Sequence, residues 1–329
     1  MELPTMALGQ SVGTPAFSLR LHKTVPAQPE KGYVPALYFE MVAQGIPVGQ
    51  CVLRLGDSEL LQYAGHLGYE VQPQHRGRHY ALRACWLLVG LARRYGLSKV
   101  YLTCEPDNLA SRKTCEALGA QLVQKLEVPH NHDLYTRGRT ELLQYRLQMT
   151  GSILPAIEQD LPAIAALYDR VTAREAQGTN YSGWEAGEYP MEWTARELYE
   201  AGGLYCILDG KGRVIASAGF DNRHEDCYDR VNWRNDLPSA QTLCIHTLAI
   251  DPDCRGQGLG ERLMRFGFAK AKELGLCGIR IDTWTQNLPA LNLYHKLGYT
   301  DAQVLCDDVH FEGDTMAYQF LEWYPKEEG

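Results

Sequence analysis

Positive charge is scarce in this chain: 32 lysines and arginines against 40 aspartates and glutamates leave a net charge of -8. That balance argues against a nucleic-acid backbone or an anionic membrane as the main partner. It suits a cationic or amine-bearing one. Long apolar runs are missing as well, and no stretch of about 18 such residues offers a transmembrane helix. Residues 1–17 have neither the basic start nor the apolar run of a signal peptide, so a cytoplasmic location is expected. The 10 cysteines include no C-x-x-C and no Cys/His pair at zinc spacing, so no metal site is expected and the thiols read as buried and reduced. What is present is ordinary for a globular protein, with 45% hydrophobic and 22% charged residues. At 329 residues the chain favours two domains over one.

The most informative stretch is Arg255-Gly256-Gln257-Gly258-Leu259-Gly260. It follows the apolar run Leu243–Ile250 and precedes an amphipathic segment from Glu261 to Leu274. Strand, glycine-rich turn and helix make an arrangement whose free N–H groups cradle a phosphate. Two familiar patterns fail on it. A Walker A loop needs Lys-Ser/Thr after its glycines, and none follows. The dinucleotide fingerprint needs a third glycine where Glu261 stands.

The rest of the chain reads as strands and helices in two successive sets. In the first, strands are expected at Tyr33–Ala43, Val48–Leu55, Leu60–Val71, Val100–Cys104, Leu122–Val128 and Glu141–Leu147. Helices are expected from Ala81 to Tyr95 and over Ala110–Leu118. The second set has strands Ile153–Ile157, Leu204–Leu208, Val214–Phe220, Ile279–Trp284, Tyr299–Leu305 and Thr315–Phe320, besides the one before the glycines. Its first helix, Leu161–Ala176, has Asp160 as expected N-cap, and others lie near Trp193–Ala201 and Pro289–Leu297. Sliding the chain so that Val71 lies on Ile250 aligns the two sets without a gap through Ala120 and Tyr299. Pro73 meets Pro252, Arg76 meets Arg255, Gly77 meets Gly256, Asn108 meets Asn287 and Gly119 meets Gly298. Two copies of one domain, 1–149 and 150–329, follow.

Arg-x-x-Gly-x-Gly resembles motif A of the GNAT N-acetyltransferase superfamily. Asn287, Ala290, Leu293-Tyr294 and Lys296-Leu297-Gly298-Tyr299 match that family's downstream pattern. Trp184-x-x-Gly187-x-Tyr189-Pro190 and Ile245–Leu248 are similar to a bacterial subgroup of it. The resemblance implies an α/β fold of two tandem GNAT domains, each a mixed, largely antiparallel sheet with flanking helices. In such domains the fourth and fifth strands splay apart; here these are Thr242–Ile250 and Ile279–Trp284. It also implies acetyl-CoA as cofactor and acetyl transfer to a primary amine, of a small molecule or a peptide, by direct attack in a ternary complex.

On that resemblance Leu248, Ala249 and Ile250 lie along the pantetheine arm, with the Leu248 N–H as oxyanion donor. Arg255, Gly256, Gln257, Gly258, Leu259 and Gly260 hold the pyrophosphate, the glycines keeping side chains out of its way. Arg255 either adds a charge or forms a salt bridge that holds the turn. Asn287 bonds main chain or cofactor at the strand end. Tyr294 matches the general acid that protonates the departing thiolate. The attacking amine must be neutral, and a lysine-like amine has a pKa of about 10.4. A base or a water relay is therefore needed. His246 is the candidate, its position matching a base histidine in enzymes resembling serotonin N-acetyltransferase; the alternative is a histidine satisfied within a core strand. Strand alternation would put it on one face with Cys244, Leu248 and Ile250.

The first copy resembles the branch that includes ribosomal-protein acetyltransferases. Val71, Arg76, Gly77, Arg78, Tyr80, Ala81 and Asn108 make a second, weaker cofactor site by the same carry-over. His79 replaces the first motif glycine, Cys115 replaces Tyr294 and Leu67 replaces His246. Acceptor recognition is expected from Tyr181, Trp184, Glu185, Glu188, Tyr189, Asp221, Asp226, Tyr228, Asp229 and Trp233, carboxylates interleaved with aromatics. Two alternatives stay open. One is a tandem enzyme of mycothiol-synthase or aminoacyl-transfer type; the other is a non-catalytic acyl-CoA-binding protein.

Overall fold

The structure, a computed structural model, describes residues 6–306 and 316–325. The chain divides into two compact units, residues 1–157 and 158–329. The first contains β1 (Ser11–Thr14), β2 (Phe17–Val25), β3 (Ala36–Ala43), β4 (Ile46–Arg54), α1 (Leu61–Ala64), β5 (Leu67–Val71), α2 (Tyr80–Arg94), β6 (Lys99–Cys104), α3 (Leu109–Ala117), β7 (Gln121–Glu127), α4 (Asp133–Thr136) and β8 (Glu141–Gln148). One sheet runs β1-β2-β3-β4-β5 and another β6-β8-β7. The expected first strand at Tyr33 is in fact preceded by two. Phe17, Leu19 and Leu21 alternate into the core along β2, a period-two signal as plain as any in the chain. Gln44 and Gly45, both at positive φ, make the turn between β3 and β4. The strand expected over Leu60–Val71 is shorter. Leu61–Ala64 is a single helical turn, stopped by Gly65, where a Cβ would come within 2.9 Å of the Tyr101 carbonyl oxygen.

From β9 (Ile153–Pro155) onward come α5 (Leu161–Ala176), α6 (Glu192–Glu200), β10 (Leu204–Leu208), β11 (Val214–Asp221), β12 (Thr242–Ile250), α7 (Leu259–Leu274), β13 (Gly278–Trp284), α8 (Leu288–Lys296), β14 (Thr300–Leu305) and β15 (Tyr318–Trp323). They build a sheet in the order β14-β15-β13-β12-β11-β10-β9. β12 pairs parallel with β13, while β10–β11, β11–β12, β13–β15 and β14–β15 are antiparallel. The expected start of the last strand, Thr315, lies outside the described residues. Asp160 does not cap α5. Its backbone is already helical, and its carboxylate, 9% exposed, accepts from the Cys206 thiol at 3.8 Å. The close approach of α7 to the sheet needs Gly267, whose Cβ would meet Ile245 and Phe220 at 3.2 Å.

The repeat read from the sequence recurs in the backbone. Short 3₁₀ turns, Pro73–His75 and Pro252–Cys254, precede α2 and α7. Gly77 and Gly256 have φ of 80° and 78°, Gly119 and Gly298 of 85° and 89°. Asn108 and Asn287 each cap the helix that follows, accepting from Ser111 and Ala290 N–H at 3.0 and 3.3 Å. The units differ on one side. Two helices, α5 and α6, lie between β9 and β10, whereas the matching interval between β2 and β3 holds only the 3₁₀ turn Pro29–Lys31.

Candidate active site

β12 and β13 stay in register only from Thr242 opposite Gly278 to Cys244 opposite Arg280. Beyond that the strands part, and the gap opens on a cleft of about 1680 Å³. Leu248, Ala249 and Ile250 line one side of it and Ile281–Trp284 the other, with Gly256, Gly258 and Gly260 at the start of α7. Strand main chain left unpaired within a sheet is ready to accept an added extended segment.

The turn into α7 is tightly anchored. Asp251, fully buried, accepts from Arg170 Nε at 2.8 Å and from the Asp253 N–H at 3.0 Å, and Arg213 Nη1 lies 3.5 Å away. Gly256 and Gly258 take left-handed φ of 78° and 74°, and a Cβ on either would meet nothing within 4 Å. At Gly260 a Cβ would come within 3.2 Å of a Leu293 methyl, which would have to give by a few tenths of an ångström. The first turn of α7 leaves backbone N–H groups without intrahelical partners at the positive end of the dipole. Gln257 does not line the cleft, whereas Arg255 does. Arg255 makes an ion pair, Nη2 to Glu175 Oε1 at 3.1 Å, with its side chain 46% exposed. The other Glu175 oxygen takes the Ser182 N–H and hydroxyl at 3.1 and 2.6 Å.

His246 departs from simple alternation. Gly219 faces His246 and Ser217 faces Ala249, so Thr247 and Leu248 together oppose the single residue Ala218. This is a β-bulge, with Thr247 at φ 48°. The bulge shifts the face: His246 shares its side with Cys244 and Ala249, not with Leu248 and Ile250. His246 Nε2 lies 3.1 Å from Asp221 Oδ1. Asp221 also takes the Arg223 N–H and Nε, both at 2.8 Å. Burial opposes ionisation of Asp221, but the bonds from His246 and Arg223 outweigh it and hold the carboxyl below its usual range. A carboxylate accepting from Nε2–H leaves Nδ1 of the neutral ring with the lone pair.

Tyr294 is 4% exposed and lines the cleft, and its hydroxyl has no hydrogen-bond partner among the described residues. Burial first, and Asp282 second, push its pKa up, so the phenol keeps its proton. Asn287 uses Nδ2 on Thr283 at 3.0 Å besides capping α8.

Of the residues expected at the acceptor end, Tyr181, Trp184, Glu185, Glu188 and Tyr189 line the cleft. Tyr228 and Trp233 do not; they pack with Cys244 and Phe320 in the core, and the Tyr228 hydroxyl donates to Asp282 at 2.8 Å. Asp226 and Asp229 do not line it either. Asp221 proves to be a partner of His246 instead of a recognition residue. The sequence reading misses Trp193, Glu197 and Glu200, which reach the cleft from one face of α6, and Glu225. Their helical spacing in the sequence is the signal that could have found the first three. The Tyr189 ring lies 6.2 Å from that of Trp184 and 6.3 Å from that of Trp193, and its hydroxyl is 3.1 Å from Thr247 Oγ1. Burial and then Arg280 lower His224 to about 4, so it is neutral near pH 7.

The first unit keeps the parted strands. β5 pairs with β4 and β6 with β8, and the His66 N–H reaches the Tyr101 carbonyl at 2.7 Å. Arg76 Nε braces the turn on the Val71 carbonyl at 3.2 Å. His79 carries, at φ 56°, the left-handed conformation that Gly258 has. Gly77, Arg78 and Ala81 belong to the same turn and helix start, and Tyr80 stacks on Phe17 with centroids 5.5 Å apart. The Tyr69 hydroxyl bonds Ser111 Oγ at 2.8 Å, and Cys115 is buried. The expectation of buried thiols holds for seven cysteines; Cys254 is partly exposed, Cys277 and Cys306 exposed.

The acetyltransferase (GNAT) family model matches residues 170–299, and a GNAT domain model matches residues 19–121. A mycothiol acetyltransferase of Geodermatophilus obscurus is 25% identical over 220 residues, 64% of this chain and 67% of that protein. One from Nocardia farcinica is 38% identical over 122 residues, 34% of this chain and 36% of that protein. An uncharacterised N-acetyltransferase of Methanocaldococcus jannaschii is 24% identical over 168 residues, 49% of this chain and 66% of that protein. The matches thus cover about two thirds of these relatives or less. Among solved structures, a GNAT-family acetyltransferase of Streptococcus agalactiae aligns over 54% of this chain and 96% of its own, at 20% identity and a TM-score of 0.44.

Proposed function

Because this chain belongs to the GNAT acetyltransferase family, with one domain in each half, we propose that its second unit transfers an acetyl group from acetyl-CoA to a primary amine. The observation that carries this reading is the parting of β12 and β13 after Cys244, which opens a cleft running from the Gly256–Gly260 turn to His246 and Tyr294. The residues fit the cofactor. Gly256 and Gly258 keep Cβ atoms away from the N–H groups at the start of α7, where a pyrophosphate gains both donors and dipole. Leu248, Ala249 and Ile250 would hold the pantetheine arm, and the Leu248 N–H would face the carbonyl oxygen. Bound acetyl-CoA supplies the thioester whose acyl carbon the amine attacks.

The remaining steps belong to this chain. His246 Nδ1 accepts the proton that the amine sheds as its bond to carbon forms. Asp221 fixes the imidazole tautomer and orients the ring. Tyr294, protonated throughout the physiological range, delivers its proton to the departing sulfur. Released thiol, followed with an amine panel, tests the reading. Tyr294→Phe is expected to lower kcat by tenfold or more with little change in KM for either substrate. Unaltered kcat would remove the acid from the scheme.

Gly258→His copies the turn of the first unit. It is expected to weaken acetyl-CoA binding by more than tenfold in calorimetry. The ligand-free chain should lose only about 1–2 kcal/mol, the usual cost of a left-handed residue with a side chain. Equal affinity in the variant would show that the turn does not hold the cofactor. A second reading, the activity of the mycothiol acetyltransferases, is favoured by the relatives that carry that name. Turnover of the acceptor of those enzymes, set against simple amines, decides between the two.

A further inference from the structure

Five carboxylates line the acceptor end of the cleft, Glu185, Glu188, Glu197, Glu200 and Glu225. None of them makes a salt bridge among the described residues. The cations nearby are already committed: Arg223 to Asp221 at 2.8 Å and Arg255 to Glu175 at 3.1 Å. His224 is neutral. This end of the cleft is therefore strongly anionic.

Such a charge is unhelpful to the amine that reacts. A carboxylate within about 4–6 Å of an ammonium raises its pKa by one to three units and keeps the unreactive form. The group at the reacting end is instead His246, whose own carboxylate is saturated by the imidazole and Arg223. The free carboxylates come from elsewhere, the loop 185–188, the cleft face of α6 and the loop after β11. Glu225 and Glu197, on separate elements, both bear on the Tyr189 phenol, which burial and then Asp282 with these two push up to about 12. Tyr189 itself lies between Trp184 and Trp193, the latter 48% exposed, an aromatic surface of the kind that takes a cation. Independently, the Tyr294 side chain, 4% exposed, lines the same cleft with a hydroxyl that bonds no described residue, which points to a ligand there.

We propose that the acceptor is a small aliphatic amine carrying a second positive charge, held by Glu197, Glu225 and their neighbours beside Tyr189 and Trp193. The inference rests on the acetyl-transfer reading and names its substrate class. Binding of 1,4-diaminobutane, butylamine and 6-aminohexanoate to the full chain, read by calorimetry, tests it without requiring turnover. The diamine is expected to bind at least tenfold more tightly than butylamine, and 6-aminohexanoate more weakly than either. Glu197→Gln and Glu225→Gln should each cut the diamine preference at least threefold. Glu192→Gln, on a residue paired with Arg196 and absent from the cleft wall, should leave it unchanged. Equal affinities, tighter 6-aminohexanoate, or a preference unmoved by both variants would overturn the proposal. Thiol release assays on the same panel separate the two readings. Turnover without diamine preference keeps acetyl transfer and removes the dication; diamine preference without thiol release on any amine does the reverse.

Discussion

His246→Ala should lower kcat/KM for the amine at pH 7 by about 10²–10⁴, the usual worth of a positioned base. The KM for acetyl-CoA should stay within a factor of two, because in the proposed scheme His246 serves the amine. The pH profile supplies the sharper check. With no base to take the proton, the variant depends on amine that is already neutral. Its rate should then climb roughly tenfold per pH unit toward the amine pKa, near 10.4 for an aliphatic amine. The parent, with a base in place, should depend on pH less steeply than the variant. Asp221→Asn should fall between the two, since an amide can still bond the ring but holds it less firmly than a carboxylate. A loss below about threefold in His246→Ala would assign the imidazole to the strand's packing and the proton to a water relay.

Asp251→Ala is the largest stability change expected, about 3 kcal/mol, from breaking a buried ion pair and stranding its arginine. The Asp251 carboxylate is fully buried, accepts from Arg170 and the Asp253 N–H, and has Arg213 at 3.5 Å. Arg170 is partly exposed, 30% by side chain, which holds the figure at the low end of the range. The urea midpoint of the second unit, followed by tryptophan emission, should fall accordingly. Asp251→Asn keeps the turn's hydrogen bond to Asp253 and should recover part of the loss. A midpoint shift worth less than about 1 kcal/mol would mean that solvent already screens the pair.

The turn and the repeat were legible because they are local. Positive φ at Gly77 and Gly256, and the caps at Asn108 and Asn287, restrict residue choice within a few positions. What depends on a neighbouring strand was not. The bulge at Thr247 is a property of β12 against β11, so alternation counted along one strand assigned Leu248 and Ile250 to the wrong face. Asp221 and His246 meet from 25 residues apart. Tyr228 and Trp233 look like recognition aromatics in a polar loop, yet the loop folds back on Phe320 and Cys244, burying Tyr228 and partly covering Trp233. Trp193, Glu197 and Glu200 could have been read from helical spacing, and β2 from its alternation.

The left-handed histidine at the first unit's turn carries a consequence for the second. One chain here holds the same bend twice, once built with a side chain and once without. The bend is thus compatible with folding in either form, and glycine at 258 is no requirement of the architecture. In the proposed reading that glycine is reserved for a visitor, a molecule present only during turnover. Purification yield and solubility would then be poor screens for damage at 258, since a chain that still folds after losing about 1–2 kcal/mol can have lost its co-substrate.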